Sequence, residues 1–415
     1  MTPLHTPPPS SQAWRALAVL CLVYLLNFLD RTLIFILFPL LKKELVFSDL
    51  QLALLGSTSF VIFYTTLGLP FGRLSDRVSR KKLIAAGLAV WSLFSGLTGF
   101  CDHFWSLFLC RLMVGVGEAT LGPAAMSLLS DLFPKQRRAT AQSIYSAGIP
   151  LGAAAAFFLG SHIGAAWGWR TAFYGLGFPG LLLAGLVLTL PDPPRGQTEG
   201  LREAPRSPRA LLGIGPLRWH VAGYALMAVA GNSLSMWVPS FLARAYTVPL
   251  PMIGNLSGGS MAISGGLATA LGGAVADRWR RDQGPAGRMR FSAALALLCV
   301  PLWLGLALSG SVPVMFACFF GLAGAGLAWL GPAAADVHDL VGPELRGIGI
   351  AAYFLVVNVV GYGLAPPAMG ALSDALGSAA QPLQMRWMLL ICPLACLGAA
   401  ALLARGGRAM AKASG

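Results

Sequence analysis

An all-α membrane protein, with twelve spans arranged as two six-helix halves, is the fold class this sequence predicts. Three observations predict it. The 415 residues are 56% hydrophobic and 11% charged, where soluble domains carry about 25% charged residues. Apolar runs long enough to cross a bilayer recur along the whole chain. Finally, a basic loop in the first half is echoed in the second.

The apolar spans fall near 14–41, 51–71, 83–101, 104–130, 139–163, 168–190, 219–242, 252–276, 291–309, 311–335, 347–371 and 385–404. They must be helices, because a segment in hydrocarbon has to satisfy its own backbone hydrogen bonds. Residues 1–13, opening "MTPLHTPPPSSQ", form a Pro- and Ser-rich tail read as disordered, with no cleavable signal. The first bundle is 14–190 and the second 219–404, joined by the Pro-, Gly- and Arg-rich linker 191–218 and followed by a tail at 405–415.

The net charge of +14 would suggest nucleic acid in a soluble protein. Here its placement argues otherwise. Of 30 Lys and Arg, Arg31 and Arg111 lie within spans, and Lys42, Lys43, Arg170, Arg244 and Arg386 face one side. The remaining 23 face the other, which predicts cytoplasmic N- and C-termini in a plasma (inner) membrane. The basic excess is topogenic and implies no nucleic-acid partner. Seven cysteines sit in or beside spans without a CxxC pair, as expected of ordinary thiols.

The loop "GRLSDRVSRKK" (72 to 82) follows span two, and "GGAVADRWRRD" (272 to 282) follows span eight. Aligning Gly72 with Gly273 aligns Asp76 with Asp277 and Arg77 with Arg278, at an offset of 201 residues. Gly122-Pro123 of span four pairs with Gly331-Pro332 of span ten, at an offset of 209. Six spans, a linker, and six spans with the same marks describe a duplication.

Within this apolar frame, Asp30 and Glu118 are the acidic residues expected deep inside spans, both near mid-depth at 1.5 Å of rise per residue. A charge at the centre of a span costs about 2.5–3.5 kcal/mol on insertion scales, so its retention points to use. Neighbours Asp30 and Arg31 point about 100° apart on a helix and pair poorly, while Asn27 can reach either. Arg111, Gly115 and Glu118 share one face at i, i+4, i+7, with Gly115 leaving room between the charges. The expected network has Arg31 reaching Glu118, with Arg111 and Asp30 beside them. Burial and a nearby guanidinium push a carboxyl in opposite directions, which suits proton coupling. Intramembrane ionisable groups default to function, which favours coupling over a fixed ion pair.

"GLPFG" (68 to 72) and "GIPLG" (148 to 152) are small-xxx-small patterns that let helices approach, with a proline able to bend them. Tyr64, Tyr145, Trp237, Trp329, Asn358 and Tyr362 are candidate cavity residues. Gly115-x-Gly117 has no surrounding βαβ unit and is no nucleotide loop. The five His are scattered and no catalytic cluster is evident, so an enzyme is not expected, nor a metal or cofactor. A G-x-x-x-x-G-K-[ST] loop is absent, which disfavours an ATP-driven pump.

The twelve spans with the G-x-x-x-D-R-x-x-R-[RK] loop and its degenerate copy resemble the major facilitator superfamily across essentially the whole chain. Within it, "NFLDR" in span one, "RLMVGVGEATLGPAAMSLLSDLFP" in span four, "WVPSFL", "GGLATALGGAVADR" and "LSDAL" resemble the Spinster branch. The resemblance implies alternating access, with the matching Asp30 and Glu118 in coupling. It also implies a gating role for Gly72, Asp76, Arg77, Arg80, Asp277 and Arg278, latching the outward-facing state. Where that branch carries a His and an Asp in span eleven, this chain reads "YFLVVNVVGYGLAPP", with Asn358 and Tyr362. The expectation is a monomeric, proton-coupled transporter of a lipid-like or amphipathic substrate, of lysophospholipid or sphingoid type, in contact with membrane lipids. The alternative is a proton-coupled carrier of small organic anions or drugs.

Overall fold

The computed structural model describes residues 10–75, 77–194, 211, 213–341 and 345–414. Its first four spans are α1 Ser11–Leu45, α2 Asp49–Gly68, α3 Arg80–Phe100 and α4 Phe104–Leu132. The next helical stretch, Thr140–Leu188, is 49 residues long, far more than one crossing needs. Gly168 divides it, at φ 83° and ψ 162°, a conformation essentially reserved for glycine. The result is α5 (140–167) and α6 (169–188). The second half follows as α7 Gly215–Ala245, α8 Leu250–Gln283, α9 Gly287–Leu308, α10 Val312–Leu340, α11 Ile348–Ala375 and α12 Pro382–Lys412. Among the described residues this makes twelve spans in two halves of six.

Helix ends are set by local chemistry that hydropathy does not see. Ser10 caps α1 by accepting from the Ala13 amide. Ser48 and Gln51 close a capping box at the start of α2. Span ten was expected to end at 335, yet α10 continues to Leu340 and so takes in Asp336, which is fully buried.

An even number of spans places both termini and the linker at one end of the bundle, here the terminal end; the turns after α1, α3, α5, α7, α9 and α11 lie at the far end. One apolar core runs across both halves toward the far end, joining Phe38 and Phe157 to Trp237, Phe241 and Phe319. Toward the terminal end it separates. One cluster there belongs to the N-terminal half, around Leu20, Trp91 and Leu128, and another to the C-terminal half, around Tyr224, Val337 and Leu403. The halves therefore share a packed core at one end and keep separate cores at the other.

Two close approaches make the shared end tight. A Cβ on Gly254 of α8 would lie 2.4 Å from the Phe157 carbonyl of α5, and one on Gly370 of α11 would lie 2.6 Å from the Asp49 carbonyl of α2. The same helices carry π-helical turns, Leu54–Thr58 in α2, Met261–Gly265 in α8 and Val359–Leu364 in α11. Such turns loosen the backbone ladder and cluster at functional positions. The turns in α2 and α11 meet, where Thr58 Oγ1 donates to the Gly363 carbonyl at 3.0 Å.

Candidate functional site

Midway along α1 and α4, the Arg31 Nε donates to Glu118 Oε2 at 2.5 Å. The Glu118 side chain is fully buried, while that of Arg31 keeps 13% exposure. Aromatic rings hold the guanidinium in place. Its Cζ lies 4.3 Å from the Phe60 ring centroid, 4.5 Å from Tyr64 and 5.1 Å from Phe28. Phe28 precedes Arg31 by almost a turn, and Phe60 and Tyr64 share a face of α2, stacked at 4.9 Å. Cation–π contacts of this kind contribute about 0.5–2 kcal/mol each.

Asp30 points elsewhere, as adjacent helical positions require. Its Oδ1 accepts from Ser95 Oγ of α3 at 2.9 Å, and the residue is fully buried. Arg111 is also fully buried, and its charge acts on both Asp30 and Glu118. The four charged groups form one electrostatic cluster on two helices, α1 and α4. It is incompletely satisfied by protein: Asp30 Oδ2, Glu118 Oε1, Arg111 Nε and Nη1, and Asn27 Nδ2 have no hydrogen-bond partner. Buried polar atoms are nearly always bonded, so this cluster keeps hydrogen-bonding capacity that the protein's own groups do not fill. Gly115 acts differently from expectation. A Cβ there would meet the Phe60 carbonyl at 2.6 Å, so this glycine lets α2 approach α4 instead of spacing the charges.

Two of the candidate cavity aromatics sit beside this cluster. Tyr64 covers Arg31, and half-buried Tyr362 of α11 lies within electrostatic range of Arg31, Tyr64 and Glu118. Asn358, a turn earlier on α11, turns its amide onto its own helix, donating to the Phe354 carbonyl at 2.8 Å. The other three are buried aromatics, of which Tyr145 also lies within electrostatic range of Arg31 and Trp329 lines a small internal cavity. Tyr145 is buried and stacked on Tyr24 at 4.2 Å. Trp237 is fully buried in the shared core near Phe38, and Trp329 stacks on Tyr224 within the second half. Sequence position alone cannot distinguish an aromatic facing a cavity from one facing a neighbouring helix.

A second polar centre, not anticipated from sequence, closes the far end. The fully buried Asp49, at the start of α2, accepts from Lys42 Nζ at 2.6 Å and Arg244 Nη1 at 2.8 Å. Ser373 and Ser378 donate to its other oxygen at 2.6 and 2.8 Å. In return, Asp374 accepts from the backbone amides of Asp49 and Leu50 at 2.8 and 2.9 Å, capping α2 from the opposite half. Carboxylates at helix N-termini also gain from the helix dipole. A local clue existed, since "SD" stands at both Ser48-Asp49 and Ser373-Asp374.

At the terminal end, the ion pairs of the described loop-motif residues stay within each half. Asp76 lies outside the described residues. Gly72 is half-buried, with open space apart from Pro123 at 4.0 Å from a would-be Cβ, and Gly68 has no neighbour at that range. Neither glycine of "GLPFG" therefore marks a close helix approach, whereas Gly152 of "GIPLG" presses on the Leu25 carbonyl of α1. Arg77 is exposed, but Arg80 is fully buried and pairs with Asp131 and, at 2.9 Å, with Asp192. In the second half Asp277 pairs with Arg288 at 2.6 Å, while Arg278 is exposed. Arg288 also donates to Asp339 at 2.7 Å, so at the head of α9 it is the spatial counterpart of Arg80 at the head of α3. The constant-offset alignment misses this because α8 runs on past the motif Asp277 to Gln283, which sets the head of α9 later in the sequence.

The sequence matches the model of the Major Facilitator Superfamily over residues 20–366. It is 30% identical over 402 residues to an "MFS-type efflux pump" of Mycolicibacterium smegmatis, covering 94% of this chain and 91% of that protein. It is 28% identical over 400 residues to protein spinster homolog 3 of Danio rerio, covering 90% and 80% respectively. The structure resembles that of a bacterial homologue of the human lysosomal transporter Spinster, in an inward-facing and unoccupied conformation. The TM-score is 0.84 at 26% identity, over 97% of this chain and 98% of that one.

Proposed function

Because the chain belongs to the Major Facilitator Superfamily, as a membrane transporter of the Spinster type and not an enzyme, we propose that it is a proton-coupled carrier of an amphipathic, lipid-like organic substrate. One observation carries this reading. The Arg31–Glu118 pair, with Asp30 and Arg111 beside it, holds two cations and two carboxyls at mid-depth with several of their polar atoms unpartnered. With both carboxyls ionised the four charges cancel. Protonation of Glu118 removes the partner of Arg31 and leaves the cluster net positive, ready for an anionic or zwitterionic head group. Loss of that proton re-forms the pair and expels the head group. Desolvation and ion pairing act oppositely on a carboxyl, so a change from a wet to a dry site is enough to move the proton.

The charge distribution supports cytoplasmic termini in a plasma or inner membrane. With the far end outside, the shared far-end core and the Asp49 centre close the external side, and the separated cores make this conformation inward-facing. The lipid-like substrate rests on similarity to the Spinster proteins. It also rests on the placement of the mid-depth charges in the N-terminal half, with the phenol of Tyr362 opposite. The second reading is a proton-coupled carrier of small organic anions or drugs, and the likeness to a mycobacterial "MFS-type efflux pump" supports export as its direction.

The test is a thermal-shift screen of purified protein against lysophospholipids, sphingoid bases, fatty acids and small organic anions. A ligand that binds the folded state raises the melting temperature by linkage. Stabilisation by lysolipids or sphingoid bases supports the first reading; stabilisation by short anions alone replaces it with the second.

A further inference from the structure

We propose that Asp336 is a second proton-binding site, in the C-terminal half, and that its proton controls how Arg288 holds the loop between α8 and α9. The site lies at the terminal end of α10, in the opposite half from the Arg31–Glu118 cluster, and does not depend on the role given to that cluster.

The Asp336 side chain is 1% exposed, and both carboxylate oxygens lack a hydrogen-bond partner. Among the described residues, the cation paired with it, Arg288 Nη1, is 3.9 Å away, beyond hydrogen-bond reach. That guanidinium is occupied elsewhere, donating from Nε to Asp277 and from Nη1 to Asp339, each at 2.7 Å. The other described groups around Asp336 make no hydrogen bond to it. From α7, Tyr224 commits its hydroxyl to Ser292 of α9 at 2.8 Å. His220, also on α7, places Nε2 at 3.0 Å from the Ala333 carbonyl, which fixes the ring proton there and leaves Nδ1 bare. Arg280 of α8 pairs with Asp339 at 2.5 Å, and Tyr353 of α11 packs its ring near His220. A bare carboxylate in such surroundings is strongly disfavoured, and uptake of a proton is the usual remedy.

Arg288 is positioned to read that proton. While Asp336 is neutral, the guanidinium serves Asp277 and Asp339 and ties the last turns of α8 to the head of α9, bracketing the loop between them. When the proton returns to the aqueous phase at the terminal end, the new carboxylate competes for a guanidinium already 3.9 Å away. Arg288 is then drawn inward, and its hold on Asp277 loosens.

The experiment is infrared difference spectroscopy of the purified full-length chain across pH, paired with hydrogen–deuterium exchange of the α8–α9 loop corrected for intrinsic rate. We expect a protonated-carboxyl carbonyl band that is lost in Asp336→Asn and retained in Asp277→Asn. We also expect loop exchange in wild type to rise as that band titrates away. In Arg288→Met the band should persist to higher pH than in wild type, and loop exchange should no longer follow it. Identical spectra for wild type and Asp336→Asn overturn the site. Should Asp336→Asn fail to fold, a band that titrates in Arg288→Met as it does in wild type overturns the coupling.

Discussion

Arg244 of α7 donates to Asp49 of α2 at 2.8 Å, and the two residues belong to opposite halves of the protein. The same carboxylate also gathers Lys42, Ser373 and Ser378, so one buried side chain fastens α1, α2, α7 and α11 at the far end. Alternating access requires the far end to open, and these bonds must break when it does.

The first prediction follows from that requirement. Arg244→Ala removes the charged hydrogen bond to Asp49, worth about 1.5–3 kcal/mol, along with the one from Nη2 to the Ser378 carbonyl, from the far-end-closed state. It should raise the far-end-open population about ten- to hundredfold, since an equilibrium moves by the difference in interaction between its states. Spin labels at Lys43→Cys and Tyr246→Cys, in a background without native cysteines, would report longer distances. An unchanged distance distribution would sink the latch.

A second prediction concerns coupling. Glu118→Gln and Asp30→Asn should abolish transport driven by a pH gradient in proteoliposomes, while exchange of substrate at equal pH survives. The separation matters because a purely structural ion pair would lower both activities together. Gradient-driven rates equal to wild type in both variants would refute coupling through these carboxyls.

Stability at the terminal end should depend on Arg80. Removing one partner from a buried ion pair costs about 3–5 kcal/mol, so Arg80→Ala should unfold at markedly lower temperature. Its partner Asp192 lies beyond α6. Burial raises that carboxyl, but hydrogen bonds from Ser79 and Arg80, with the Arg80 charge, outweigh it and hold it below its ordinary value. A depressed carboxyl stabilises the fold above its unfolded pKa of about 3.9, and that contribution is lost as pH falls through the lower folded value. Asp192→Asn should therefore lower the melting temperature at neutral pH and show less further loss on acidification. A melting temperature equal to wild type at neutral pH would count against the arrangement.

The spans were legible because each is a continuous apolar run, and the division of α5 from α6 needed only Gly168. The meeting of Arg31 with Glu118 was legible too, since two ionisable groups at equal depth in apolar helices have few other places to go. The Asp49 centre was hidden, because its members at 42, 49, 244, 373, 374 and 378 come from four helices and the turn after α11 and carry no local period. The burial of Asp336 was missed for a related reason. Hydropathy falls at residue 335, but the helix persists to 340 and packing against α7 and α9 covers the carboxylate. Trp237 and Trp329 show the limit for aromatics: their type marks a buried interface, and only the packing shows which one.

The last prediction concerns the ligand. Arg31 is the cluster cation with an exposed fraction, framed by Phe28, Phe60 and Tyr64, so it is the group a head group would meet first. Arg31→Ala should weaken binding of charged amphipaths by about 1.5–3 kcal/mol, the worth of a charge-assisted hydrogen bond. Neutral amphipaths of the same chain length should lose far less. Arg31→Lys keeps the charge but not the planar face that lies against the three rings, and should recover only part of the loss. A head-group series and a chain-length series, titrated separately against each variant, distinguish the two substrate classes. If affinity falls equally for charged and neutral ligands, Arg31 is a packing element. If it falls only for charged ligands but does not vary with chain length, the substrate is a small anion and the lipid-like reading fails. A loss confined to charged ligands, with affinity rising along the chain-length series, is the outcome expected of a carrier that holds a head group at Arg31 and an acyl chain against its apolar half.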